Sequence, residues 1–285
     1  MARRTALVLG GGGFTGIGWE VGVLAGLAEA GADLSDADVV IGTSAGSIVG
    51  AQLTSGRYPL AELYRSQLAA PDGRPVARMG TATFVRFAAI ALRSRDAVSF
   101  GARMGRLALT ARTLGEADHR ASIARTLGGT LGADGWPDGR LKVTAVHSST
   151  GRRAVFDGTG GVPLLDAVSA SCAVPGVYPP VTIDGTRWVD GGVHSSANAD
   201  LAAGYDRVVV IAPVAVGGGP IAAPRTQGAR LAGQGARVCV ITPDRLSRAA
   251  FGRNVLDPAR RPDAARAGRR QAAAHAEEVR ALWNA

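Results

Sequence analysis

The chain has 285 residues, of which 46% are hydrophobic and 19% charged, a balance that excludes disorder as its overall state. Its formal net charge is +9, but Lys142 is the only lysine and the arginines are scattered without the interleaved aromatic side chains of a nucleic-acid groove. We therefore expect no nucleic-acid partner. The positive charge still allows transient contact with an anionic membrane surface.

The cysteine content and the N-terminal residues bear on compartment and cofactors. Cys172 and Cys239 cannot build a disulfide framework, and no paired spacing suggests a zinc site. The start Met1-Ala-Arg-Arg4 resembles a secretion signal, but a glycine run at 10–13 and Glu20 interrupt the apolar stretch. The same interruptions argue against a transmembrane helix. We expect a cytoplasmic protein, peripheral at the membrane at most, with no metal and no cofactor.

The first part of the chain repeats one pattern twice. A short apolar run at residues 5–9 predicts a strand, followed by a glycine-rich loop and helical spacing over 18–30. A second buried strand at 39–41 leads into another glycine turn and a helical stretch over 47–53. Each strand thus enters a helix through a sharp turn.

The remaining pattern predicts a helical insertion and then more strands. Residues 57–140 are mainly helical pieces. Strands are predicted at 141–147, 153–156, 208–212 and 238–242, and a β segment with a turn at Asp184-Gly185 is predicted at 183–189. Helices are predicted at 164–172 and 262–283. Alternating strands and helices favour an α/β fold with a mainly parallel sheet covered on both faces. We expect a catalytic domain over 5–212, with the insertion at about 57–140, and a strand and helices of 213–285 packed on the same domain.

The pentapeptide Gly42-Thr-Ser44-Ala-Gly46 lies between the second strand and its helix. A G-x-S-x-G sequence in this context makes a nucleophile elbow, in which the flanking glycines permit the sharp turn and expose the serine hydroxyl. Ser44 is therefore the candidate nucleophile, with Gly42 and Gly46 as the elbow glycines. The alternative is an ordinary turn in which Ser44 caps the helix.

The earlier glycine loop ends one strand and opens a helix, so its N–H groups can bind negative charge. The N–H groups of Gly11, Gly12 and Gly13, together with that of Ala45, form a candidate oxyanion hole. Gly11, Gly13 and Gly16 also match the G-x-G-x-x-G fingerprint of dinucleotide-binding proteins. The second strand, however, lacks the acidic residue that would hold a ribose. A dinucleotide-binding oxidoreductase is thus an alternative that the residues support less well.

Two further motifs complete an ordered set. Residues 170–175 read Ala-Ser-Cys-Ala-Val-Pro, Pro179-Pro180 follow, and Asp190-Gly-Gly192 comes last. With the glycine loop and the Gly-Thr-Ser-Ala-Gly turn, this order closely resembles the patatin-like phospholipase family. The resemblance runs from about residue 6 to about residue 212, and four ordered motifs are far more specific than any one of them.

The resemblance implies a three-layer α/β/α patatin-like fold and a Ser-Asp dyad without histidine. Ser44 and Asp190 align with that dyad. The implied reaction is hydrolysis of fatty-acyl esters of phospholipids or other acyl lipids, of phospholipase A type, through an acyl-enzyme. The family usually carries an arginine or lysine before the last glycine of its oxyanion loop, and this chain has Thr15 there.

Two alternatives concern the active site itself. His194 lies shortly after Asp190 and could supply a histidine base, although a loop histidine without a catalytic role is the simpler interpretation. A lipid-binding protein that kept the fold but not the turnover is the other alternative. The apolar stripe at residues 84–92 is either core packing or a surface that enters lipid.

Overall fold

The computed structural model describes residues 3–70, 77–128, 135–137 and 139–284. Within these ranges the strands join in one sheet. The strands are β1 Thr5–Leu9, β2 Val39–Gly42, β3 Leu141–His147, β4 Arg153–Phe156, β5 Val181–Ile183, β6 Thr186–Asp190, β7 Arg207–Ile211 and β8 Arg237–Ile241. The helices are α1 Gly13–Glu29, α2 Ala45–Thr54, α3 Leu60–Gln67, α4 Thr81–Arg93, α5 Ala97–Thr110, α6 Glu116–Leu127, α7 Leu164–Ser171, α8 Pro224–Gly233, α9 Arg245–Phe251, α10 Arg261–Ala272 and α11 Ala276–Trp283.

The sheet is mixed, with a parallel centre and an antiparallel end. Its order is β5-β6-β3-β2-β1-β7-β8, and β4 pairs with β3 beside this path. The strands β3, β2, β1, β7 and β8 are parallel to one another, whereas β4, β6 and β5 pair antiparallel. The prediction of a mainly parallel α/β sheet is confirmed.

Alternate residues of the central strands enter two different cores. Leu7 and Leu9 of β1 face a large core to which α1, α2 and α10 contribute, whereas Ala6 and Val8 face a smaller core that includes Leu231 of α8. Because successive side chains of a strand point to opposite faces, a strand buried on both faces must be apolar throughout. Helices therefore cover both faces of the sheet, which gives three layers in the order α/β/α.

Strand β3 brings two distant parts of the chain together. Gly42, the last residue of β2, pairs with Val143, and Asp190, the last residue of β6, pairs with Ala145. Val143 and Ala145 also pair with β4. Because a strand has only two edges, β2 and β6 must both lie along the edge of β3 that faces away from β4. The strands β2 and β6 run in opposite directions, so their C-terminal ends meet along one edge of β3.

The helices differ from the sequence expectation in four places. Helix α1 begins at Gly13 inside the glycine loop, and residues 262–283, predicted as one helix, form α10 and α11 with a turn between them. Helices α8 and α9 lie in segments where no helix was predicted. Helices α3 to α6 occupy the range predicted as an insertion, and β8 extends the sheet beyond β7. The division at residue 212 stays a prediction.

Candidate active site

Ser44 sits at a strained turn between β2 and α2. Its backbone has φ 52° and ψ −116°, a region that residues other than glycine rarely adopt. A Cβ at Gly46 would lie 2.1 Å from the carbonyl oxygen of Leu9, and a Cβ at Gly42 would lie 2.6 Å from the Cα of Ser47. Both positions therefore require glycine, as the elbow prediction implies, and the tight approach of α2 to the sheet holds Ser44 in its conformation.

The hydroxyl of Ser44 donates to the carboxylate of Asp190. The distance from Oγ to Oδ2 is 2.7 Å. The other carboxylate oxygen, Oδ1, accepts from the N–H of Gly192 at 2.7 Å. Ser44 and Asp190 are 8% and 5% exposed, so water competes little for this bond. The two residues that the sequence pattern singled out thus lie within hydrogen-bonding distance.

Burial controls the acidity of Asp190. Removal from water disfavours the charged carboxylate and raises the pKa of Asp190 to about 7, against the smaller opposing effect of hydrogen bonds from Ser44 and Gly192. An ordinary aspartate has a pKa of about 4. A carboxylate with a pKa near neutrality accepts a proton far more readily, which is the property a general base needs.

The segment at residues 170–175 supports both residues of this pair. Ser171 Oγ, at the end of α7, accepts from the backbone N–H of Ser44 at 2.9 Å. The carbonyl of Ala173 accepts from the N–H of Asp190 at 3.0 Å. Cys172 lies between them and is buried, which raises the pKa of its thiol. It is therefore a packed thiol rather than a competing nucleophile.

The glycine loop lies directly beside Ser44, since a Cβ at Gly11 would be 3.4 Å from the Cβ of Ser44. The N–H of Gly11, however, donates to the carbonyl of Ser196 at 2.8 Å. Gly11 is therefore not a free donor, which corrects its assignment to the oxyanion hole. Within the described part of the chain, the N–H groups of Gly12, Gly13 and Ala45 make no hydrogen bond.

Thr15 does not present its side chain to the site. It is fully buried, and its hydroxyl faces the carbonyl oxygens of Gly12 and Val255 at 3.4 and 3.5 Å. Its N–H also donates to the carbonyl of Val255 at 3.1 Å. The Val255 segment thus covers the start of α1, where a dinucleotide would place its pyrophosphate. This contact disfavours the dinucleotide-binding interpretation.

A cleft opens at Ser44. Its empty volume is about 450 Å³, part of which is open to solvent. Apart from Ser44, the lining is largely apolar and comes from five parts of the chain: α1, α2, α6, the loop after α7 and the segment after α9. Its principal side chains are Phe14, Ile17, Ile48, Ile123, Val174, Tyr178 and Leu256.

His119 also lines this cleft, and no sequence motif predicted it there. It lies on α6, is 1% exposed and stacks on Tyr178 with ring centroids 4.9 Å apart. Its Nε2 bonds the carbonyl of Ser169 at 2.9 Å, and burial lowers the pKa of the ring. His119 therefore packs as a neutral wall residue held by its backbone partner.

His194 faces elsewhere. It lines a separate cavity with Ser195, Asp200 and Gln227, whose empty volume is about 770 Å³ and is partly open to solvent, and burial lowers the pKa of the His194 ring. In the described structure the hydroxyl of Ser44 bonds Asp190 and not an imidazole. The geometry therefore favours a carboxylate over a histidine as the partner of Ser44.

A buried amide links the two turns that carry Ser44 and Asp190. Asn198, fully buried with φ 54°, donates through Nδ2 to the hydroxyl of Thr43 at 3.0 Å and to the carbonyl of Gly191 at 3.3 Å. Thr43 and Gly191 are the chain neighbours of Ser44 and Asp190. Asn198 thus holds the elbow and the Asp-Gly-Gly turn at a fixed separation, which no local motif indicated.

Comparisons with known proteins give the chain's family. A family model described as patatin-like phospholipase matches residues 7–203. Lysophospholipase nte1 of Aspergillus niger is 30% identical over 240 residues, which are 81% of this chain and 13% of the relative. The chain thus spans a small part of that relative's length.

Two solved structures resemble the whole chain weakly. VipD from Legionella pneumophila has a TM-score of 0.49 and 13% identity, with 98% of this chain and 67% of that chain covered. The type III effector protein ExoU has a TM-score of 0.42 and 15% identity, with 97% and 53% covered. Similarities of this size transfer no function.

Proposed function

Because this chain belongs to the patatin-like phospholipase family, we propose that it hydrolyses acyl esters of lipids with Ser44 as nucleophile and Asp190 as general base. The 2.7 Å hydrogen bond from Ser44 Oγ to Asp190 Oδ2 carries this proposal. A serine hydroxyl is a weak nucleophile until a neighbouring base takes its proton. The buried carboxylate, with its pKa near 7, suits that task.

In the first half of the reaction, Asp190 accepts the Ser44 proton while Oγ attacks the acyl carbonyl. The carbonyl oxygen becomes negative and requires donors that are already in place. The N–H groups of Gly12, Gly13 and Ala45 fill this role. The departing alkoxide takes the proton from Asp190 and leaves as an alcohol, so the acyl group remains on Ser44.

In the second half, water replaces the alcohol. Asp190 accepts a proton from water, the hydroxide attacks the acyl-enzyme, and the same donors stabilise the second oxyanion. Ser44 regains its proton and the fatty acid leaves. The strained backbone of Ser44 and the hydrogen bond from its N–H to Ser171 keep Oγ in place through both steps.

The cleft indicates which part of the substrate it receives. Its apolar walls suit a fatty-acyl chain, because apolar surface removed from water on both partners favours binding. A phospholipase A type reaction, in which a glycerophospholipid or lysophospholipid loses one acyl chain, matches this arrangement. The name of the Aspergillus niger relative, a lysophospholipase, supports a substrate with a single acyl chain.

A fluorophosphonate probe tests the nucleophile directly. We expect the wild type and Ser66→Ala, a variant on α3, to be labelled, and Ser44→Ala to remain unlabelled. Purified wild type should also release free fatty acid from mixed phospholipids and acylglycerols, and Ser44→Ala should release about 10³-fold less or lower still. Equal release by both proteins would refute the proposal. Folded wild type without labelling would make the chain a lipid-binding protein.

A further inference from the structure

A second group of reactive side chains lies outside the cleft, at the far edge of the sheet. Cys239 is on β8, the last strand of the sheet order, and is 2% exposed. It packs in the large core with Val279 and Trp283 of α11. Its side chain therefore points to the face of β8 that α11 covers.

The other two members come from the turn between α10 and α11 and from the first turn of α11. His275 directly precedes α11, where its carbonyl accepts from the N–H of Val279 at 2.9 Å. Glu278 follows three residues later, a spacing that places both side chains on the same face of a helix. His275 is half-buried and Glu278 is exposed, so the group is open to solvent on one side.

The three donor atoms converge. One ligand atom each of Cys239, His275 and Glu278 lies within 4.8 Å of both others. In a tetrahedral zinc site, with bonds of about 2.0–2.3 Å, ligand atoms are roughly 3–4 Å apart. Small side-chain rotations would close this difference. The separation is thus compatible with three bonds to one ion.

We propose that Cys239, His275 and Glu278 form a zinc site that joins α11 to the edge strand β8. Sulfur, imidazole nitrogen and carboxylate oxygen are the donors that Zn²⁺ takes in proteins, and water from the open side completes the tetrahedron. This site has no part in ester hydrolysis. A zinc ion here would depart from the expectation of a protein without metal, which rested on the absence of paired ligand spacing in the sequence.

The proposed ligand Glu278 supplies one negative charge to the group. A bound ion displaces the proton of the Cys239 thiol to solvent, and the thiolate becomes a ligand. Asp244 adds a second nearby carboxylate beside His275, whereas Arg225 opposes the ion.

Co²⁺ reports a sulfur ligand by spectroscopy and is the probe for the first test. Untagged wild type is titrated with Co²⁺ and the thiolate-to-metal charge-transfer band is recorded, followed by displacement with Zn²⁺. We expect one equivalent to saturate the band. Cys172→Ser, which removes the other cysteine, should keep it, and Cys239→Ser should lose it. No band in the wild type, or a band that persists in Cys239→Ser, would overturn the proposal.

Two further variants test the site independently, in case Cys239→Ser fails to fold. His275→Gln and Glu278→Gln change more exposed positions, and circular dichroism verifies that they fold. Each should weaken Zn²⁺ binding by more than about 100-fold, since loss of even an outer-shell partner costs 10- to 100-fold. Zn²⁺ should raise the Tm of the wild type and not of these variants. Unchanged affinity in both folded variants would also overturn the site.

Discussion

A buried carboxylate is an uncommon base for serine, and its environment decides whether it can serve. Asp190 gains hydrogen bonds from Ser44 and Gly192, which favour the charged form, but burial outweighs them and raises its pKa to about 7. The group is therefore half-protonated near neutrality. Activity that needs the carboxylate must vary with pH in that range.

We expect kcat/KM for a soluble ester to rise with pH through a midpoint of about 7. Below the midpoint Asp190 holds its proton and cannot accept another, so at pH 5 the rate should be about 100-fold below the plateau, one decade per pH unit. The measurement is a steady-state pH profile. His194→Ala should keep the same midpoint and most of the activity, whereas Asp190→Asn should lose activity at every pH.

A midpoint that moves or vanishes in His194→Ala would assign the titration to the imidazole. A profile that is flat from pH 5 to pH 8 would contradict the raised pKa of Asp190. A loss of fold lowers kcat/KM at every pH but does not change how kcat/KM depends on pH. Both outcomes can therefore be told apart from a folding defect.

The two residues of the proposed dyad could be singled out from sequence because each lies in a short motif. The Gly-Thr-Ser-Ala-Gly turn identifies Ser44 through the steric needs of a strand-to-helix turn, and Asp190 follows from ordered motifs. Asn198 was not predictable, because its partners Thr43 and Gly191 are distant in sequence and meet only in the folded chain. The error at Gly11 has the same origin, since the carbonyl of Ser196 that occupies its N–H comes from a remote loop.

At the scale of elements, α4 stands apart from the other helices. None of its residues is buried, and Phe84, Val85 and Leu92 are 65%, 60% and 87% exposed. Its other face, with Phe87 and Ile90, packs on a small core. One face of the stripe is thus core packing, as one alternative held. The other face is exposed, and its contact with lipid stays a prediction.

The surroundings of α4 suit an anionic lipid surface. Arg86, Arg93 and Arg95 are exposed on or next to this helix. A Cβ at Gly176, in the loop that lines the cleft through Val174 and Tyr178, would lie 2.9 Å from Thr83 of α4. The exposed apolar face therefore lies close to the cleft. Among the described residues no helix is both long and apolar enough to span a membrane.

We expect wild-type protein to sediment with vesicles that contain phosphatidylserine and to release fatty acid from them. The double variant Phe84→Ala/Leu92→Asp should bind these vesicles at least about tenfold more weakly, because it removes apolar area that would leave water and adds a negative charge. Its hydrolysis of a soluble ester should be unchanged. Leu246→Asp, at a 56% exposed leucine of α9, is the matched control and should bind as the wild type does. Equal binding by all three proteins would exclude α4 as the contact.

At the scale of the whole molecule, α1 connects the site with the C-terminal helices. Its first residue, Gly13, belongs to the glycine loop, and its body packs closely against α10. Gly18, Gly22 and Gly26 recur every fourth residue along one face, and a Cβ there would lie 2.5, 2.1 and 2.6 Å from carbonyl oxygens of α10. This face explains part of the high glycine content, 40 of 285 residues.

Gly22→Ala should therefore destabilise the fold and reduce activity together. Its Cβ would meet the carbonyl oxygen of Ala265 at 2.1 Å, so α10 must move, and overpacking of this kind lowers the free energy of unfolding by about 1–3 kcal/mol. Displacement of α1 also shifts the oxyanion donors at its start, which lowers kcat. Gly233→Ala, in α8 with no atom within 4 Å of the new Cβ, should change stability by less than about 1 kcal/mol. Denaturant unfolding and ester hydrolysis measure both effects, and a Gly22→Ala protein as stable as Gly233→Ala would contradict the close α1–α10 contact.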